Sequence, residues 1–103
     1  MNKRVEVLNK AKEIIIGNRE QQHGSPEDSF NLIAKFWSAY LDKDISPMNV
    51  GDMMILLKIA RCKTGGHKED NYIDIAGYAA CTAEIFLNIF KKIKAFVKCE
   101  EIK

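Results

Sequence analysis

Lys58 and Arg61 stand three residues apart in the run Met53-Met54-Ile55-Leu56-Leu57-Lys58-Ile59-Ala60-Arg61. Asp70 and Asp74 stand four apart in Glu69-Asp70-Asn71-Tyr72-Ile73-Asp74-Ile75-Ala76-Gly77-Tyr78-Ala79-Ala80. Both runs read as helices that are apolar nearly all round, and residues at these spacings share a helix face. One helix therefore presents a basic pair and the next an acidic pair. Charge among core-type side chains is costly unless it is paired, metal-bound or ligand-bound. A site is expected there.

The basic pair suits phosphate. Arginine grips phosphate oxygens bidentately and lysine acts as a point charge, so Lys58 and Arg61 beside Met54 fit a di- or triphosphate or a cyclic nucleotide. The acidic pair suits Mg²⁺, which takes carboxylate oxygens and water; Asp70 and Asp74 would hold it, with Asp52, and less directly Glu69 or Glu84, as further ligands. A plainer alternative has Asp70 capping its helix and Asp74 paired with Lys58 or Arg61 across the bundle.

The connector Arg19-Glu20-Gln21-Gln22-His23-Gly24 leads to a helix start, where free backbone N–H groups favour anions. Arg19 and His23 could close over a ligand from there, or His23-Gly24 is an ordinary turn. Trp37, Tyr40, Tyr72 and Tyr78 fall at core spacings, and a pocket aromatic can stack on a base. Tyr78, one turn after Asp74, is the preferred stacking residue, with Trp37 the second choice. Met48, Met53 and Met54 read as adaptable core filling. No nucleophile constellation, Walker loop, GxGxxG or zinc spacing occurs, so catalysis would require metal-assisted attack of water on a phosphate.

The elements that carry these residues are helical. Val7, Leu8, Ala11, Ile14 and Ile15 form an apolar stripe over about Lys3 to Ile16, with Gly17-Asn18 as a stop. Ser25-Pro26 and Ser46-Pro47 each supply an N-cap serine followed by proline at the first helical position. The helix after Ser25 carries Phe30, Ile33, Ala34, Trp37 and Leu41 on one face and stops near Asp42-Lys43-Asp44. The helix after Ser46 ends at Thr64-Gly65-Gly66. A fourth begins near Lys68 to Asp70 and runs to about Phe96, kept thin by Ala76, Gly77, Ala79, Ala80 and Ala83. Short connections imply antiparallel neighbours. The expectation is an all-α, compact bundle of about four helices, one domain over residues 1–103, self-associating through the thin or the C-terminal part of the last helix.

Composition agrees: 47% hydrophobic and 29% charged residues suit a globular chain of 103 residues. A net charge of +2 gives no global field for nucleic acid. Lys91, Lys92, Lys94 and Lys98 read as a solvated face, with Phe90 and Phe96 as core, so nucleic acid is not an expected partner. Three cysteines without ligand spacing suggest reduced thiols. The chain opens without a secretory pattern, and Asp74, Glu84 and Asn88 interrupt its longest apolar stretch. A cytoplasmic protein without a membrane span is expected.

The motifs His23-Gly24-Ser25-Pro26, Met53 to Arg61, and Asp70 with Asp74-Ile75-Ala76-Gly77-Tyr78-Ala79 resemble those of a family of small phage and prophage proteins known as a domain of unknown function. More distantly, the third and fourth helices are similar to phage nucleotide-modification domains and to the all-α MazG-like nucleoside triphosphate pyrophosphatases. That second resemblance implies a Mg²⁺ cage of ExxE and ExxD motifs. The chain departs from it: the third helix offers only Asp52, and Asn71 stands where an acid is expected. Three functions follow as expectations. The first is a helical phage protein that binds a nucleotide-type ligand without requiring a cofactor, in the cytoplasm of an infected or lysogenic bacterium, sequestering a host immune signal such as a cyclic dinucleotide or an ADP-ribose derivative. The second is a Mg²⁺-dependent pyrophosphohydrolase. The third is a structural or protein-interaction role.

Overall fold

The computed structural model describes residues 2–17 and 24–102, the side chains of 99–102 excepted. It contains α1 (Lys3–Ile16), α2 (Pro26–Leu41), α3 (Pro47–Gly65) and α4 (Glu69–Ile102). Among the described residues there is no strand. The fold is all-α, as the hydrophobic periods require.

Local chemistry sets the boundaries. Asn2 caps α1 by accepting from the Arg4 N–H at 2.8 Å. Ser25 accepts from the Asp28 N–H at 3.2 Å, with Pro26 in the first turn. At α3 the cap is reciprocal: Ser46 Oγ accepts from the Asn49 N–H and Asn49 Oδ1 accepts from the Ser46 N–H, both at 3.0 Å. Two of the helix's orphan N–H groups are thereby satisfied. Replacing Ser46 by alanine removes one side of this box; we expect a loss of about 1 kcal/mol, read as a lower urea midpoint at unchanged slope. Helix α2 ends at Asp42, whose φ of 54° places it in the left-handed region.

Helices α3 and α4 form an antiparallel hairpin: Gly51 meets Thr82 at one end and Lys58 meets Asp74 nearer the turn. Helix α1 lies along the first half of α4 in the same direction, with Lys10 bonded to Glu69 at 2.9 Å and Ile15 against Gly77. Hydrogen bonding to Glu69 raises the Lys10 pKa above its usual value, with the Glu69 charge adding to it. The bond's contribution is thus present at neutral pH and fades as the pH climbs past 10.5. Both side chains are about half exposed, so the contribution is small.

Phe30, Ala34, Val50 and Ile85 make the central core, with Ile33, Trp37, Met48, Met54, Tyr78 and Ile89 packed around it. Several residues assigned to a core by spacing are exposed instead. Tyr40 is 89% exposed because its position on α2 is rotated away from the Phe30–Ala34 stripe. Leu8, Ile14, Leu41, Met53 and Tyr72 are also exposed, as are Phe90 and Phe96. The cause for the last two is length. Helix α4 continues past Phe96 to Ile102, and beyond Ile89 every described side chain on it is exposed. By length and composition α4 is also long and apolar enough to cross a membrane.

Candidate functional site

Met54 on α3 and Tyr78 on α4 line an open cleft of about 280 Å³. Ile15 closes one side, and Gly24, Pro26, Ser29, Phe30 and Ile33 of the α2 approach close the other. The Phe30 and Tyr78 rings stand 6.3 Å apart, tilted by 38°. Apolar and aromatic walls with a helix start at the rim are the usual materials of a small-molecule site, and the volume is near the lower end for such sites. It suits one planar ring system rather than a whole dinucleotide. Phe30 and Met54 are the site residues that sequence reasoning missed. The available signal was the position of Phe30 one turn inside the Ser25-Pro26 cap.

One turn further along the α3–α4 interface, at Lys58 and Asp74, lies the charged rung. Lys58 Nζ is 2.8 Å from Asp74 Oδ2, with side chains 12% and 21% exposed. The antiparallel hairpin produces this pairing, because Met54 opposite Tyr78 sets Lys58 opposite Asp74. The cross-bundle ion pair anticipated as the plainer alternative is therefore present. Arg61 and Asp70 do not join it. Both are exposed, and neither makes an ion pair among the described residues. Asp52 is exposed on α3 two turns from Lys58, away from Asp74. Among the described residues no group of three or more His, Cys, Asp or Glu side chains converges. Trp37 packs against the core rather than lining the cleft. Arg19 and His23 fall outside the described residues, though His23 is the chain neighbour of Gly24 on the cleft rim.

A second hollow, of about 310 Å³, lies on another side of α3 and α4 between Ile59, Cys62, Lys63, His67, Tyr72 and Ile75. The Tyr72 hydroxyl and His67 Nδ1 share a hydrogen bond, and their rings stack. Desolvation, then hydrogen bonding to Cys62, pushes the Tyr72 pKa up from its usual value. Neither Cys62, which is buried, nor Cys81, which is half-buried, is joined in a disulfide.

With this geometry in hand, the relatives are informative. The family described as "Domain of unknown function (DUF6378)" matches residues 6–86. The chain belongs to that family. The DUF6378 match takes in the cleft, the Lys58–Asp74 pair and the hairpin, and stops before the last part of α4. The "Gene 55 protein" of Mycobacterium phage D29 is 42% identical over 80 residues, covering 78% of this chain and 53% of the phage protein. Its namesake in Mycobacterium phage L5 is 45% identical over 74 residues, covering 71% of this chain and 47% of the phage protein. The chain thus spans about half the length of these curated relatives. No solved structure matches it.

Proposed function

We propose that this DUF6378 chain binds a nucleotide-type phosphate ligand, taking a base into the Phe30–Tyr78–Met54 cleft and the phosphates towards its charged end. The observation that carries this reading is adjacency: an aromatic-lined cleft and a half-buried ion pair occupy consecutive turns of the same two helices. The base would lie on Tyr78. Phosphate would be drawn by Arg61, by the start of α2 and by Lys58, which can share its three donors between Asp74 and a ligand. Arg19 and His23, outside the described residues, belong to the proposed ligand set on their side-chain chemistry alone. Phage kinship makes capture of a host immune nucleotide without turnover a natural use, such as a cyclic dinucleotide or an ADP-ribose derivative.

The similarity to MazG-like pyrophosphatases gives a hydrolytic alternative, with Asp70 and Asp74 holding Mg²⁺. An Asp74 oxygen already engaged by Lys58 weighs against that alternative, because the ammonium stands where a cation would bind. Hydrolysis would be seen as pyrophosphate release that Asp74→Asn abolishes.

Thermal shift and titration calorimetry against nucleoside triphosphates, ADP-ribose and cyclic dinucleotides test binding. A true ligand at a hundredfold its Kd stabilises by about 2.7 kcal/mol. Arg61→Ala, exposed and without an ion pair among the described residues, should weaken binding about tenfold while leaving the melting temperature of the free protein unchanged. Recovery of the intact nucleotide after denaturation distinguishes binding from turnover. Neither heat nor a thermal shift across the whole panel would remove the nucleotide reading.

A further inference from the structure

One side of α4 carries a pattern that the single copy leaves largely uncovered, although Ala76 is half-buried beside α1 and Tyr72 bonds to His67. Tyr72, Ala76, Ala79, Ala83, Phe86, Phe90, Ile93 and Val97 follow one another at alternating spacings of four and three residues. Apolar residues at that rhythm form a seam along a helix, which demands a facing helix. Among the described residues the bundle does not supply one. Helix α1 packs on one side of α4 and α3 on the other, leaving the seam between them, and Phe86, Phe90, Ile93 and Val97 are 47–56% exposed.

Residue sizes along the seam identify the facing helix. Its first half is narrow, with Ala76, Ala79 and Ala83; its second half is wide, with Phe86, Phe90 and Ile93. The alternating spacing reads the same from either end. An identical helix laid antiparallel therefore sets Ala83 opposite Phe86, Ala79 opposite Phe90, Ala76 opposite Ile93 and Tyr72 opposite Val97. Every alanine meets a large side chain. We infer that two copies of this chain associate through an antiparallel, two-fold α4–α4 seam centred between Glu84 and Ile85.

Three independent features fit this register. The hollow lined by Ile59, Cys62, Tyr72 and Ile75 lies where Phe96 and Val97 of the second copy arrive. The shallow hollow lined by Leu8, Ile15, Ile16, Ala76 and Ala80 lies where its Leu87 and Ile93 arrive. Charge also selects the direction. Glu69 and Asp70 fall in the first half of α4 and Lys91, Lys94 and Lys98 in the second, so antiparallel pairing brings basic ends towards acidic ones. Asp74 and Lys92, by contrast, are paired with Lys58 and Glu27 within the copy. Parallel pairing would crowd the lysines together and stack alanine on alanine. With the exposed apolar flank of α3 at Leu56 and Ile59 included, the covered area is on the order of 700 Å² per copy, close to the standard interface.

Sedimentation equilibrium of the 103-residue chain should give twice the chain mass at micromolar concentration. Phe86→Asp/Phe90→Asp alters side chains already exposed in one copy, and should give a monomer with unchanged helical circular dichroism. Register is read by crosslinking in a Cys99→Ser background. Ala79→Cys and Phe90→Cys should each stay uncrosslinked alone under mild oxidation and crosslink to each other when mixed. A wild-type monomer at high micromolar concentration, self-crosslinking of either single variant, or a dimer that survives the double aspartate variant would overturn the seam. So would uptake into anionic vesicles that the double variant abolishes while no dimer forms in water, because the lipid would then be the occupant.

Discussion

Gly51→Ala should melt about 10 °C below the unmodified protein. Inside a helix, glycine to alanine ordinarily gains about 1 kcal/mol. Here the sign reverses, because a Cβ at position 51 would overlap Thr82 Oγ1 and stand 2.9 Å from Thr82 Cβ. Both residues belong to the α3–α4 hairpin, and Thr82 is held in place by donating to the Tyr78 carbonyl at 2.6 Å. Overpacking of this kind costs about 1–3 kcal/mol, occasionally more. With the helices fixed by Val50 and Ile85 on either side of the contact, we expect a net loss of about 2 kcal/mol, worth roughly 10 °C in a domain of this size. Thr82→Ala in the same chain clears the hydroxyl and methyl and should restore part of the loss. A Gly51→Ala variant that melts at or above the parent temperature would show that the two helices do not approach as described.

Lys58→Met carries the second large effect. It leaves the Asp74 carboxylate between α3 and α4 without its ammonium. Removing one partner from a buried pair costs about 3–5 kcal/mol. Both side chains keep some exposure to water, so about 2–3 kcal/mol is the fitting figure. Replacing both, as Lys58→Met/Asp74→Leu, should bring stability back to within about 1 kcal/mol of the parent, because no isolated charge then remains. A double-mutant cycle by urea denaturation isolates the coupling. If Lys58→Met alone costs less than 0.5 kcal/mol, roughly the range of an ordinary surface substitution, the pair is solvated and cannot anchor a site.

Much of the helix layout was legible because punctuation residues have short-range causes. Ser25-Pro26, Ser46-Pro47 and Gly65-Gly66 act through their own backbone neighbours and set boundaries wherever the chain later goes. The pairing of Lys58 with Asp74 was readable as one of two outcomes, since charge on apolar helices must find a partner. Which outcome held depended on hairpin register, a long-range quantity. That register separates Lys58, which is engaged, from Arg61, which makes no ion pair among the described residues, although both share a face of α3. The cleft was not legible, because Ile15, Phe30, Met54 and Tyr78 come from four helices whose crossing no local signal specifies. The role of Gly51 is illegible in the sequence for a related reason. Inside an apolar helix it reads as a weak spot, until the neighbour that needs its missing Cβ is known. The Phe90 and Phe96 assignment failed because spacing reports that a face is apolar without saying whether the same copy covers it.

The join between α3 and α4 is three residues long, Gly66-His67-Lys68. That brevity has a kinetic consequence. Contacts between sequence neighbours close cheaply and early, so the hairpin holding Val50, Lys58, Asp74 and Ile85 is the natural folding nucleus. Helix α1 must return across more than fifty residues of chain to reach Glu69 and Gly77, so we expect it to dock after the hairpin has formed. In that order of events the docking of α1 would complete the aromatic cleft, since Ile15 is one of its walls.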